Sequence, residues 1–156
     1  MKLFRSSKST LIFQFGAREK HLLLQVLKLD PCIPPGHQLV SKTARVPEQS
    51  ASQRLLDEAL AEQRAENKKQ VQRWLGDPVR FKPHEKSWRL TLSPAELEWL
   101  LQILNDIRVG SWLSLGSPES RIEVINEQTL PHLWAMEIAG EFEMGMLHAI
   151  EKGSDA

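Results

Sequence analysis

The amino-acid sequence predicts an α+β fold, predominantly α, with about five helices and a small two- or three-stranded sheet. Three observations carry this reading: an internal strand-helix repeat, a capping box that fixes the start of one helix, and a carboxy-terminal segment that is apolar almost all the way round. At 156 residues the chain has the length of a single domain, 1–156. A domain of that size buries roughly 68–70% of the surface its unfolded form exposes, so it needs no covalent staple.

The repeat emerges on shifting the sequence by 77 positions, which lays Phe13–Leu27 on Leu90–Leu104. Five of the fifteen positions are identical, Glu19 with Glu96 and Gln25 with Gln102 among them, and four more stay apolar, so the two tracts are treated as one pattern used twice. Each copy opens with alternation, Phe13 and Phe15 in the first and Leu90 and Leu92 in the second, which sets the apolar side chains on one face of a strand. Each then changes to helical spacing. The first unit spans 10–29, with Gly16 at the cap and Glu19 near the positive end of the helix, where a carboxylate is favourable. In the second, Ser93-Pro94-Ala95-Glu96 is a capping box with proline at the first helical position, and the helix runs 94–115. Isolated strands leave backbone donors unpaired, so the two repeats' strands, the second within the strand region 79–92, should pair with each other, joined by Val79–Phe81 as a third strand.

Between the copies, Asp30-Pro31-Cys32-Ile33-Pro34-Pro35-Gly36 cannot continue a helix, and 30–47 reads as loop. The stretch 48–75 is rich in strong helix formers and is stopped by Gly76-Asp77-Pro78. Its apolar stripe, Leu55, Leu56, Ala59 and Leu60, then Val71, Trp74 and Leu75, is interrupted by Gln63–Gln70, which should be exposed or bent. After Gly116-Ser117-Pro118 a short helix is expected over 119–127, and Leu130-Pro131 opens the last helix, 131–151.

Twenty basic and twenty acidic residues cancel, so the overall positive field that announces a nucleic-acid binder is missing and no nucleic-acid partner is expected. The local cluster Arg80, Lys82, Lys86 and Arg89 is read as decoration on a solvated hairpin. The first ten residues are basic and serine-rich, but the following apolar run Leu11–Phe15 is too short for a signal-peptide core. No stretch approaches the eighteen or so apolar residues that span a bilayer. The single cysteine, Cys32, cannot form an internal disulfide. A cytoplasmic protein with no membrane partner is the expectation.

The tract Trp99-Leu100-Leu101-Gln102-Ile103-Leu104-Asn105-Asp106-Ile107-Arg108, with Leu113 and Gly116 after it, resembles the signature of an uncharacterised bacterial family, domain of unknown function two-thousand-seventeen. The resemblance implies an early strand-and-helix unit, a polar helical middle, this leucine-asparagine-aspartate-arginine helix, and a closing apolar helix filled here by Leu133–Ile150. The chain departs from the family pattern in its polar insert Gln63–Gln70 and in having no tyrosine in the last helix. The family brings no catalytic residues to transfer. Its members are often encoded beside the adaptor of a bacterial ATP-dependent protease, which implies a proteolysis or stress setting.

On a wheel at about 100° per residue Arg108 falls among Leu97, Leu101, Leu104 and Leu115, so its cation needs a carboxylate or helix-end carbonyls against it. Asn105 flanks that face and Asp106 points roughly opposite. In the last helix Glu137, Glu141 and His148 form one narrow stripe, and Ala139, Gly140 and Gly145 should let another helix approach closely. Asn105, Arg108, Glu137, Glu141 and His148 are therefore the candidate polar cluster. Two carboxylates and a histidine on one face are a weak metal signal, because the glutamate-and-histidine spacing of three used in di-metal bundles is absent. No metal, cofactor or catalytic residue is assigned. His21, His37, His84 and His132 lie in separate elements without ligand spacing. The five tryptophans, at 74, 88, 99, 112 and 134, are core residues or, where exposed, interface anchors.

The leading functional expectation is a non-catalytic interaction protein, an adaptor or regulator, with Trp134, Met136, Met144 and Met146 as the candidate interface, because methionines suit adaptable contacts. Self-association would cover the same surface, which makes a homodimer one expected outcome. The alternative is a small ligand- or metal-binding enzyme with a pocket around Arg108, Glu137 and Glu141.

Overall fold

The computed structural model describes residues 1–30, 47–119 and 125–154. In chain order the elements are β1 (Lys2–Ser6), β2 (Leu11–Gly16), α1 (Ala17–Leu27), α2 (Pro47–Leu75), β3 (Phe81–His84), β4 (Ser87–Leu92), α3 (Pro94–Ser114) and α4 (Leu130–Ser154). The strands form one antiparallel sheet in the order β1-β2-β4-β3.

The repeated strands are the two central ones, and they pair with each other as the sequence implies: Leu11 lies opposite Leu92 and Phe13 opposite Leu90. Their alternation puts Leu11, Phe13, Phe15, Leu90 and Leu92 on one face, where all five are buried. Both strands run into their helices with at most one intervening residue. Ser93 Oγ accepts from Glu96 N–H at 3.1 Å while Glu96 Oε2 accepts from Ser93 N–H at 2.8 Å, closing the anticipated box. Gly16 has no side chain to contribute, so the first copy keeps half of this arrangement, Glu19 Oε1 accepting from Gly16 N–H at 3.3 Å. Glu96 does a second job: Arg80 donates to it at 2.8 Å and to the Thr91 carbonyl at 3.2 Å, locking the start of α3 to the entry of β3. Burial alone would raise the Glu96 carboxyl, but the Ser93 amide and the Arg80 guanidinium outweigh it and hold the group below its usual range.

The inner face is covered by α1, α3 and α4, whose buried side chains join those of the strands in one core cluster. Leu23, Val26, Leu100, Ile103, Leu104, Ile107, Ala139 and Met146 are almost wholly inaccessible. α4 packs mainly along α3 and also touches α1 and β1, which accounts for its extensive apolar circumference.

Several expectations are corrected. The sheet has four strands because Lys2–Ser6, within the basic and serine-rich start, forms the edge strand β1, and because 79–92 resolves into a hairpin, β3 and β4, with Val79 in the preceding turn. An edge strand needs only a few inward apolar residues, which is why its polar composition gave no signal. The described residues hold four helices. Of the short helix expected over 119–127, residues 120–124 lie outside the described residues, while Glu119 is a bend and 125–127 are non-helical. There Asn126 Oδ1 accepts from the amides of Gln128 and Thr129 at 2.9 and 3.0 Å, so the side chain satisfies donors that a helix would otherwise use. The loop expected over 30–47 also lies almost entirely outside them.

The glycines of α4 do not all serve helix packing. Gly140 lies beside the stem of Arg108 from α3, 3.6 Å from where a Cβ would stand, but Gly145 and Gly153 receive the β1 strand: a Cβ there would come within 2.5 Å of Met1 Cε and 2.7 Å of Leu3 Cδ2. α2 is one helix through its polar middle. Asn67, in the interrupted part of the stripe, is buried and accepts from Trp99 Nε1 at 3.2 Å and from Gln63 Nε2 at 3.0 Å. Trp74, one turn beyond Val71, stacks in a tilted contact on Trp99 with centroids 4.7 Å apart. The other tryptophans are half-buried at the margin of the core.

Because the Ser93 cap positions α3, Ser93→Ala is expected to destabilise the protein by about 1 kcal/mol, the usual value of such a cap. Urea unfolding followed by circular dichroism measures it, with Ser93→Asp, which can still cap, retaining most of the stability.

Candidate functional site

The expected polar cluster divides. Arg108, on α3, receives Asn105 Oδ1 as acceptor for its Nη2 at 3.0 Å, and the carboxylate that faces it is Glu143, whose Oε2 lies 3.6 Å from Nε. That separation makes an ion pair too long for a hydrogen bond, and Glu143 Oε2 is buried without a hydrogen-bond partner among the described residues. Glu137, Glu141 and His148 are exposed, and His148 pairs loosely with Glu151 at 4.0 Å. Glu143 stands two residues after Glu141, about 200° round the helix, so the acid that meets Arg108 is on the other side of α4 from the stripe. Arg108 and Met136 instead border a shallow apolar recess of about 280 Å³ with Val109 and Trp112.

The candidate interface divides as well. Met146 is wholly buried and belongs to the core, while Trp134 and Met136 are half-buried. Met144 is 68% exposed, in line with Leu147 at 45% and Leu130 at 52%. Met144, Glu141 and His148 do come together, lining a groove of about 730 Å³ between α4 and β1 along with Leu3, Gly145, Ala149, Glu19, Lys2 and Lys152. The outward side of α4 thus carries exposed apolar side chains among the carboxylates of Glu137, Glu141 and Glu151.

A second groove, of about 490 Å³, lies between α2 and α3 and was not anticipated. Arg64, Asn67, Glu98, Trp99, Gln102 and Asp106 line it. Asp106 points away from the Arg108 face, as its wheel position implies, and burial pushes its carboxyl up while Arg64 opposes the shift. Asp30, just past the end of α1, is 7% exposed and its Oδ2 has no hydrogen-bond partner among the described residues. Burial raises its carboxyl to about 6, Asp106 adds to the rise, and Arg64 and Lys68 of α2 counter it. The two carboxyls retain a proton more readily than free acids and sit beside cations of α2. The sequence held one usable sign of this groove: Asn67, Val71 and Trp74 follow the i, i+4, i+7 spacing of a packed helix face. It held none for Asp30.

Among the described residues no group of three or more histidine, cysteine, aspartate or glutamate side chains is placed to hold a metal ion. No helix among them is long and apolar enough to cross a membrane. Comparison with protein-family models, curated proteins and solved structures finds no match to the chain.

The Asp30 carboxyl gives a signed pH dependence. Its folded-state value, about 6, lies above the usual 3.8, so between those values the folded protein binds more protons than the unfolded chain and stability falls as pH rises through that window. The loss reaches up to about 3 kcal/mol. Asp30→Asn removes it: thermal unfolding across pH 4–8 is expected to show the variant more stable than the parent at pH 7 and nearly equal to it at pH 4.

Proposed function

We propose that the protein is a non-catalytic interaction protein whose partner contributes a basic amphipathic segment that lies along the solvent side of α4. The observation that carries this reading is the exposure of Met144, Leu147 and Leu130 on a helix side otherwise marked by Glu137, Glu141 and Glu151. Apolar side chains left open to water at these positions gain by being covered. The carboxylates around them favour a covering surface that carries lysine or arginine, and the unbranched Met144 side chain can adjust to irregular apolar contacts. The groove between α4 and β1 extends this strip with Leu3, Gly145 and Ala149 beside Glu19, Lys2 and Lys152, a mixed apolar and charged lining that can receive a helix.

The likeness of Trp99–Arg108 to the uncharacterised bacterial family belongs to the same proposal, as does a cytoplasmic setting connected with regulated proteolysis. That tract lies inside α3, away from the outward strip, so the family likeness concerns the scaffold and the strip supplies the contact. In this reading Arg108, Asn105 and Glu143 are structural: they fasten α3 to α4 and leave Glu137 and Glu141 free to face a partner.

A helical peptide of lysine and leucine, patterned to be apolar on one side, serves as the probe. It is expected to perturb the amide resonances of residues 137–151 of α4, and Met144→Lys is expected to weaken its binding about tenfold, as loss of a central apolar anchor does. Perturbation elsewhere, or unchanged affinity in Met144→Lys, would refute the reading. A concentration-dependent dimer in sedimentation that Met144→Lys dissolves, without peptide binding, would assign the strip to a second copy of the chain instead.

A further inference from the structure

The outer face of the sheet, left uncovered by α1, α3 and α4, has a charge pattern unlike the chain as a whole. Acidic and basic residues balance over the sequence, yet the four strands contain Lys2, Arg5, Lys82 and Arg89 and no acidic residue. The strand register aligns three of these. Lys2 is opposite Gln14, Gln14 opposite Arg89, and Arg89 opposite Lys82, so a single row crosses all four strands with three cations and one amide, stepping about 4.8 Å per strand. Phe13, Phe15 and Leu90, the sequence neighbours of Gln14 and Arg89, are buried, which directs the row outward. The β1 irregularity between Leu3 and Arg5 sets Arg5 opposite Ile12 and brings Phe4 to the same side.

There the Arg89 guanidinium lies 3.6 Å from the centroid of the Phe4 ring, which remains 44% exposed. Gln14 is oriented by donating to Ser87 Oγ at 2.9 Å. Among the described residues Arg89 Nε is buried with no hydrogen-bond partner, and no ion pair joins any of the four strand cations to a carboxylate. Like charges directly opposite each other on paired strands oppose sheet formation, and the Lys82–Arg89 pair is of that kind. A polyanion would relieve this repulsion.

We propose that this face binds single-stranded nucleic acid, with phosphates along the Lys2–Arg89–Lys82 row and a base stacked on Phe4. A flat aromatic ring on a sheet reaches a base only when that base is unstacked, which favours a single strand over a duplex. The stacked arginine and oriented amide supply donors for base edges and phosphates, which favours nucleic acid over an acidic peptide. The balanced net charge of the sequence predicts no such partner; the inference rests on the segregation of charge that the strand register creates.

The test is fluorescence anisotropy of the full chain with labelled oligouridylate and oligothymidylate across a salt series. Expected is binding to one or both, with a log-log salt slope of about −2 for three phosphate contacts on a single strand. Lys82→Ala should flatten the slope by about 0.7, and Phe4→Leu, which keeps apolar bulk, should weaken binding about tenfold through loss of stacking. Circular dichroism verifies that both variants are folded, and Lys82→Ala, at an exposed position of the edge strand, provides a test independent of Phe4. Absence of salt-dependent binding to either oligonucleotide overturns the proposal. So does tighter binding to a duplex of equal length, or equal affinity for polyglutamate with no effect of Phe4→Leu, which would make the face a contact for an acidic protein.

Discussion

The pairing of β2 with β4 is the constraint on which the rest of the structure depends. Phe13 and Phe15 on one strand and Leu90 and Leu92 on the other are all at or near zero exposure, and a one-residue slip would turn every one of them to the opposite face. Because β2 runs into α1 at Gly16 and β4 into α3 after Ser93, fixing the register also fixes where two helices begin. The cap interactions at Glu19 and Glu96 turn the chain at equivalent points of the two repeats, and Arg80 ties the second turn to the neighbouring hairpin. α4 then lies along α3 and reaches the edge strand, and Gly145 and Gly153 allow Met1 and Leu3 to approach it closely.

That central motif was legible in the sequence because it is written twice. Alternation followed by helical spacing, with an acid at the same offset, is difficult to produce except by a strand turning into a helix. What was illegible lay at the margins. β1 contributes a single apolar residue to the inner face, Leu3, between outward Lys2 and the bulge, too little pattern for a period to register. The β3–β4 hairpin turns at Glu85 with a positive φ of 53°, a conformation that glycine or asparagine would have advertised and glutamate does not.

The candidate sites were less readable than the fold, for a related reason. Helical-wheel reasoning places residues on a face but does not say which face meets which helix. It asked for a carboxylate or helix-end carbonyls against Arg108, yet which of Glu137, Glu141 and Glu143 would face it depended on the rotation of α4 about its axis. That rotation is set by the burial of Ala139, Phe142 and Met146, and it turns Glu143 inward and the Glu137–Glu141–His148 stripe to water. Asn67 is the converse case. It sits on a packed face but reads as a break in an apolar stripe, because its value to the fold comes from accepting the Trp99 indole N–H, a partner 32 residues away.

The distribution of charge follows from the same geometry. The helices carry acids and bases together, as solvated helical surfaces do, whereas each strand has its alternate positions committed to the core and few left to water. Charged side chains in the strands are therefore forced onto one outward face, and a handful of residues dispersed between 2 and 89 become neighbours. A net charge of zero is an average over surfaces that the fold separates: carboxylates with exposed methionine and leucine on α4, cations with an exposed phenylalanine on the sheet. Two surfaces of opposite character thus lie on one small scaffold, and they meet at Lys2, which lines the groove between α4 and β1 and also begins the cationic row of the sheet.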